Sequence, residues 1–344
     1  MSTQRFRRAV AAAVAGVVAF AGAGCAVDRS GADDGKPTIR LAYQSFPSGD
    51  LIVKHNRWLE DELPGYNIEW TKFDSGADVN TAFVAGQVDF GALGSSPVAR
   101  GLSAPLNIPY QVAYVLDVAG DNEALVARNG TGIESIADLR GKRIGTAFAS
   151  TAHYSLLAAL DRNGVTDAKL VDLQPAASLA AWERGDVDAV YTWLPTLDQL
   201  RKSGKTLITS RELATAGKPT LDLGVVSTAF AQAHPEVVDI WRKVQTRAID
   251  TIKNRPADAA VAVAAEIGTT PADAAQQLAQ GVFLTKEQLT SAEWLGAEGR
   301  VGEIAASLRS AAEFLAAQKQ IPAAPSVRTI EDAIYVKGLP GVLD

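Results

Sequence analysis

Two short segments of this 344-residue chain set hydroxyls and unpaired backbone N–H groups at the start of a helix. In Leu93-Gly94-Ser95-Ser96-Pro97, Ser96 suits an N-cap and Pro97 the first helical position. Ser150-Thr151-Ala152-His153 introduces a second helix in the same way. The positive end of a helix and its free N–H groups favour an anion. Either start alone is what any capped helix shows; two in one chain point to a small anion held at the carboxyl ends of strands. Opposite charge comes from Glu123 and Asp222, each just before an apolar strand-like run. Alone, each reads as a solvated loop carboxylate. Together with the aromatic Trp193 and Tyr154 they could bind an ammonium group by charge and cation–π attraction, and the implied ligand is a small zwitterion.

Other chemistries find no support in the residue pattern. The three histidines, His55, His153 and His234, come with no HExxH, no cysteine pair and no carboxylate cluster at ligand spacing, so no metal site is expected. GxxxxGK[ST], a GxGxxG after a strand and the GxSxG elbow are all missing, which leaves no positive reason to expect an enzyme or a cofactor.

Positioning these groups requires strands that end where the helices begin. Short apolar runs alternate with amphipathic segments from Thr38 on, the pattern of α/β architecture with largely parallel sheets. Strands are expected at 39–43, 67–73, 88–92, 110–116, 124–128, 143–147, 170–173, 189–192 and 223–227, with helices at 51–63, 79–85, 153–163 and 179–184. Beyond Phe230 the pattern is helical, at 234–253, 257–267, 271–280 and 301–318. An internal echo links two parts of the chain: the run from Ala82 to Asp89 (AFVAGQVD) recurs at Ala181 to Asp188 (AWERGDVD). Each copy ends a helix, uses Gly as a left-handed cap and enters a strand through Val-Asp, which suggests two similar α/β lobes.

The N-terminus carries a basic start at Arg5, Arg7 and Arg8, an uncharged stretch from 9 to 24, and then Cys25, the one cysteine in the chain. This reads as a signal peptide over 1–24, too short and too rich in Ala and Gly for a transmembrane helix. Cys25 at the cut site resembles the lipobox of bacterial lipoproteins, which implies a lipidated new N-terminus, although Gly22 stands where that pattern prefers a branched residue. Ordinary cleavage beside an incidental cysteine is the alternative. Residues 25–37 then form a polar tether. Without residues 1–24 the chain has 30 basic and 39 acidic residues, a net charge of −9 that disfavours nucleic acid as a partner.

Across these segments the chain resembles the taurine-binding proteins of ABC importers, in the sulfonate and nitrate binding group. The resemblance rests on Phe73-Asp74-Ser75-Gly76-Ala77, Leu93-Gly94-Ser95-Ser96-Pro97, Asn122-Glu123-Ala124-Leu125-Val126, LRGKRI at 139–144, TAHYSLLAAL at 151–160, DLQP at 172–175, and Pro219-Thr220-Leu221-Asp222. It implies a type II periplasmic-binding-protein fold: lobe 1 from 38–121 plus 226–344, lobe 2 from 122–225, joined by a hinge, with a helical C-terminal region. It also implies that Ser95, Ser96 and Thr151 meet a sulfonate and that Glu123 and Asp222 meet an amine, with Gln44, His153, Tyr154 and Trp193 as pocket neighbours. The implied partners are a permease with its ATPase and, through the lipid, the outer face of the cell membrane. Two departures bear on the ligand: Ala152 replaces a second hydroxyl, and Gly224 replaces an aromatic, which is expected to enlarge the pocket beside Asp222. The ligand could then be another alkyl or aromatic sulfonate, or a different small anion. An enzyme on this scaffold is the rival from another class; thiamine-pyrimidine synthases share the fold but carry a cysteine-rich iron motif.

Overall fold

The computed structural model describes residues 35–343, so the expected signal peptide, the lipidation of Cys25 and most of the tether lie outside the described residues. Ten strands form two sheets: β1 Thr38–Gln44, β2 Asn67–Phe73, β3 Phe90–Gly94, β4 Tyr110–Val118, β5 Glu123–Arg128, β6 Arg143–Thr146, β7 Lys169–Asp172, β8 Ala189–Trp193, β9 Gly204–Thr209 and β10 Leu221–Ser227. The first sheet has the order β2-β1-β3-β10-β4 and the second β7-β6-β8-β5-β9. Two-residue strands at Gly296–Ala297 and Arg300–Val301 interrupt the otherwise helical C-terminal part.

The sheets are mixed, where largely parallel ones were expected. In each, one strand runs against both neighbours: β10 between β3 and β4, β5 between β8 and β9. These are the strands by which the chain enters one sheet from the other. Strands such as β3 and β8 end at the junction, whereas an entering strand starts there, so it must run in the opposite sense. Glu123 therefore pairs with Trp193, the last residue of β8, and Asp222 pairs with Gly94, the last of β3.

The internal echo has a physical counterpart. Gly86 (φ 65°) and Gly185 (φ 76°) take the left-handed conformation that ends each helix at low steric cost. The carboxylate of Asp89 accepts the Arg40 backbone N–H (2.9 Å) and its guanidinium (2.8 and 3.0 Å), while the same guanidinium donates to Gly86 O (2.7 Å). In the second copy Asp188 accepts the Arg143 N–H (2.8 Å) and Arg143 donates to Gly185 O (2.9 Å). Arginine, glycine and aspartate thus pin the amino-terminal part of β1 or β6 to the segment that leads into the strand beside it. Because Asp89 serves this clamp, β3 starts at Phe90, two residues later than expected, and the next helix, Ser95–Gly101, begins directly after it with Gly94 as N-cap in place of Ser96.

One core surrounds the first sheet and the C-terminal helices; within it Trp241 packs at a tilt on Phe90 and edge-on to Tyr114. Two smaller clusters cover the faces of the second sheet, around Leu156 and Tyr191 and around Trp182 and Leu197. The helix Ile304–Ala317 joins the two regions, placing Ala311, Ala312 and Leu315 against Ala99 and Tyr154.

Gly224 belongs to the first core. A Cβ there would lie 2.2 Å from Trp241 Cη2 on the helix Pro235–Asn254, so the missing side chain makes room for an indole and does not widen a pocket. Two residues further along β10 than Asp222, Gly224 lies inside the sheet beside Trp241 and away from the strand end. Gly224→Ala is expected to lower stability by about 1 to 3 kcal/mol through overpacking. Urea unfolding monitored by tryptophan fluorescence tests this, and an unchanged midpoint would mean that the indole yields freely.

Candidate functional site

The ends of β1, β3 and β8 meet the starts of β5 and β10 around a recess that is partly open to solvent. Gln44, Phe46, Gly94, Asn122, Glu123, Thr151, Trp193 and Asp222 line it, together with Ser150 at the start of the helix Thr151–Arg162. Ser150 caps that helix by accepting the His153 N–H at 3.1 Å. The twelve-residue helix therefore presents its positive end to one side of the recess. A Cβ on Gly94 would fall 2.3 Å from Thr151 Cγ2, so a bare backbone is what lets this helix start approach β3.

Carboxyl groups adjoin that helix start. Glu123 is 3% exposed and sits in a cage of hydroxyls: Oε2 accepts Thr151 Oγ1–H (2.5 Å), and Oε1 faces the hydroxyls of Ser210 (2.6 Å), Ser155 (3.3 Å) and Thr220 (3.3 Å). Burial pushes its pKa up to about 7, against the hydroxyls of Ser210 and Thr151, and the nearby Asp222 adds to the rise. Asp222 lies opposite Asp117 in the β4–β10 pairing. Burial, then the neighbouring Asp117, raise the Asp222 carboxyl well above the usual range. Among the described residues no basic side chain is ion-paired or hydrogen-bonded to any of the three acids. Such a cluster asks for a cation.

Of the expected site residues, Gln44, Glu123, Thr151, Trp193 and Asp222 come together at the recess, and Ser95, Ser96, His153 and Tyr154 are not among its lining. Gln44 is fixed by donating its amide to Ala92 O at 2.9 Å. Ser95 Oγ accepts the Leu221 N–H (3.1 Å), tying β10 to the helix start, and Ser96 is buried. His153 stacks on Phe148 (4.6 Å between centroids) and its Nδ1 accepts the Ala149 N–H at 3.2 Å. Burial drops its pKa to about 4, so the ring is neutral. Tyr154 packs edge-on against Phe314. Sequence reasoning missed Asp117, Asn122 and the Ser155–Ser210 hydroxyls. For Asp117 a signal exists: it is the one acid in the otherwise mostly apolar run YQVAYVLDV at Tyr110–Val118.

Two mixed sheets meeting at one charged recess have the architecture of the periplasmic-binding-protein fold. The chain belongs to the family described as the substrate binding domain of ABC-type glycine betaine transport system, which matches residues 37–280. It is 41% identical to the taurine-binding periplasmic protein of Escherichia coli over 207 residues, 60% of this chain and 63% of that protein, so the match spans somewhat less than two thirds of that relative. In structure it is similar to the alkanesulfonate-binding protein SsuA of Xanthomonas axonopodis bound to MOPS (TM-score 0.71, 24% identity, 87% of this chain and 99% of the other). The fold is also that of the desulfurization enzyme DSZB (TM-score 0.63, 15% identity, 90% and 99% coverage).

The raised Glu123 carboxyl has a stability signature. A folded-state pKa of about 7 against an ordinary 4.5 means that the folded chain holds the proton more tightly. The associated stability is complete below pH 4.5 and is lost as pH rises through 7, by roughly 2 to 4 kcal/mol for the empty protein. Relative to Glu123→Gln, the wild type should therefore lose melting temperature from pH 5 to pH 8. Parallel melting curves for the two proteins would show the carboxyl to be unstrained.

Proposed function

We propose that this chain is an extracytoplasmic receptor that captures taurine or a related amino-sulfonate and delivers it to an ABC permease driven by its ATPase. The observation that carries the reading is the recess itself, where carboxyls lacking a cationic partner stand beside the N-terminal end of a helix. A zwitterion with a primary ammonium and a sulfonate satisfies both at once. The quaternary ammonium of glycine betaine carries no N–H, so it would leave the carboxyl oxygens without donors. The Escherichia coli relative, a taurine-binding periplasmic protein, supports the same choice.

In this reading Glu123 and Asp222 hold the amine, with Trp193 beside them. The first turn at Thr151 faces the sulfonate, and Ser95, Ser96, Gln44, His153 and Tyr154 support the walls. The lobes, 38–121 plus 226–344 and 122–225, close on the ligand by a hinge. Gln174 Nε2 donates to Ser75 Oγ at 3.3 Å, a contact between segments of the two lobes. Cys25 is lipidated and holds the receptor at the outer membrane face beside its permease. Binding without turnover is supported by the relatives, which are named as binding proteins.

A thermal-shift screen of the purified protein against taurine, longer amino-sulfonates, ethanesulfonate, aromatic sulfonates, nitrate, sulfate and glycine betaine tests the proposal. Taurine at 100 times its dissociation constant should add about 2.7 kcal/mol of stability. Asp222→Asn should cost about 2 to 5 kcal/mol of taurine binding. A flat response to all sulfonates would refute the receptor reading, and taurine affinity unchanged by Asp222→Asn would refute the amine site. Mass spectrometry of membrane-associated protein should find a diacylated Cys25; an unmodified, freely secreted chain would remove the tether.

A further inference from the structure

Asp117 does not line the recess, yet it is fully buried and lies directly across β4–β10 from Asp222, which does. Its Oδ2 accepts the Asn122 side-chain amide at 3.2 Å, and Asn122 is fixed in turn by accepting the Gly120 N–H at 2.6 Å. Its Oδ1 has no hydrogen-bond donor among the described protein groups. The acids that face it are Asp222 from β10 and Glu123 from β5. The segment after the helix Pro271–Leu278 approaches Asp117 Oδ2 only through Gly281, where a Cβ would lie 3.3 Å away. Arg201 and Arg211, the cations on the adjoining elements, are engaged with Asp121 and Gln280. A buried acceptor without a donor, set opposite a second acid, is satisfied when that acid carries a proton.

We propose that Asp117 is a positioning residue for the amine end of the recess: in the empty protein it shares one proton with Asp222, and an incoming ammonium displaces that proton to solvent. The inference rests on the amino-sulfonate reading above. The pair enters the step as one carboxylic acid and one carboxylate. The O–H bond breaks, its electron pair stays on the carboxyl oxygen, and the proton goes to the buffer. Two carboxylates then stand beside one intact ammonium. Burial also pushes the Asp117 carboxyl up to about 7, which places the exchange near neutral pH. An ammonium ligand then binds more tightly as pH rises, by up to about tenfold per pH unit for a full proton released. A sulfonate without an amine releases none, so the pair makes the site discriminate between the two ligand classes according to pH.

The test is titration calorimetry with taurine at pH 6.5 in cacodylate and in imidazole, neither of which carries a sulfonate; the dependence of apparent enthalpy on buffer counts the protons. The wild type is expected to release about half a proton or more per taurine and none with ethanesulfonate. Asp117→Asn should release fewer protons than the wild type, because the amide donates to Asp222 and holds it ionised; those that remain come from Glu123, whose buried carboxyl also holds its proton up to about pH 7. Taurine binding by the wild type without proton release overturns the inference alone, whether or not the variant folds, and so does a variant that releases as many protons as the wild type. Failure of taurine to bind the wild type at any pH overturns the amino-sulfonate reading and this inference with it.

Discussion

The site depends on one topological constraint: the chain crosses twice between two sheets, and each crossing strand begins where its neighbours end. β5 and β10 are the strands so constrained, and their first residues carry Glu123 and Asp222. The strands beside them, β8 and β3, finish in loops or helix starts that carry Trp193 and Gly94. Carboxylates and helix N-termini are thereby brought to one junction without any local sequence signal joining them. The meeting of acids with a positive helix end is a consequence of strand direction, the acids lying on entering strands and the helix following a departing one.

The same constraint makes the empty site expensive. Carboxyls at strand starts are buried by both sheets, and the protein answers with hydroxyls and shared protons instead of cations. Thr151, Ser155, Ser210 and Thr220 crowd around Glu123, and Asp222 faces Asp117. A hydroxyl cage lowers the cost of a buried carboxylate without neutralising it, which leaves attraction for a ligand ammonium undiminished. An arginine or lysine in the same place would stabilise the empty fold and compete with the ligand.

Much of this was legible in the sequence, and the failures have physical causes. The strand β2 was expected with its observed bounds, because alternating Ile68, Glu69, Trp70 and Thr71 between turn signals leave little freedom. β9 went unrecognised: it is a half-buried edge strand whose residues show no clean alternation. His153 follows Thr151 by two residues, and about 200° of helical rotation turns it to the other face, whereas Tyr154 is held aside by Phe314. Gly224 was misread because the helix that brings Trp241 against β10 is remote in sequence. Asp117 is visible as an acid in a buried strand, but its partner lies about a hundred residues away on β10, and only the sheet order brings them together.

The repeated Arg–Gly–Asp clamp separates what is fixed in this architecture from what is free to vary. Arg40 with Asp89 and Arg143 with Asp188 anchor the amino ends of β1 and β6 in the same manner, far along each strand from the recess. The carboxyl ends of the two sheets share no such correspondence: the first contributes Gln44, Gly94 and Asp222, the second Glu123, Thr151 and Trp193. Pairing in register transmits the clamp's position to the strand ends through backbone hydrogen bonds and demands no particular side chain there. Residues at the recess can therefore be exchanged with little effect on the frame. Ligand choice then rests on a few groups, and the proton shared between Asp117 and Asp222 adds a control that the frame itself does not specify.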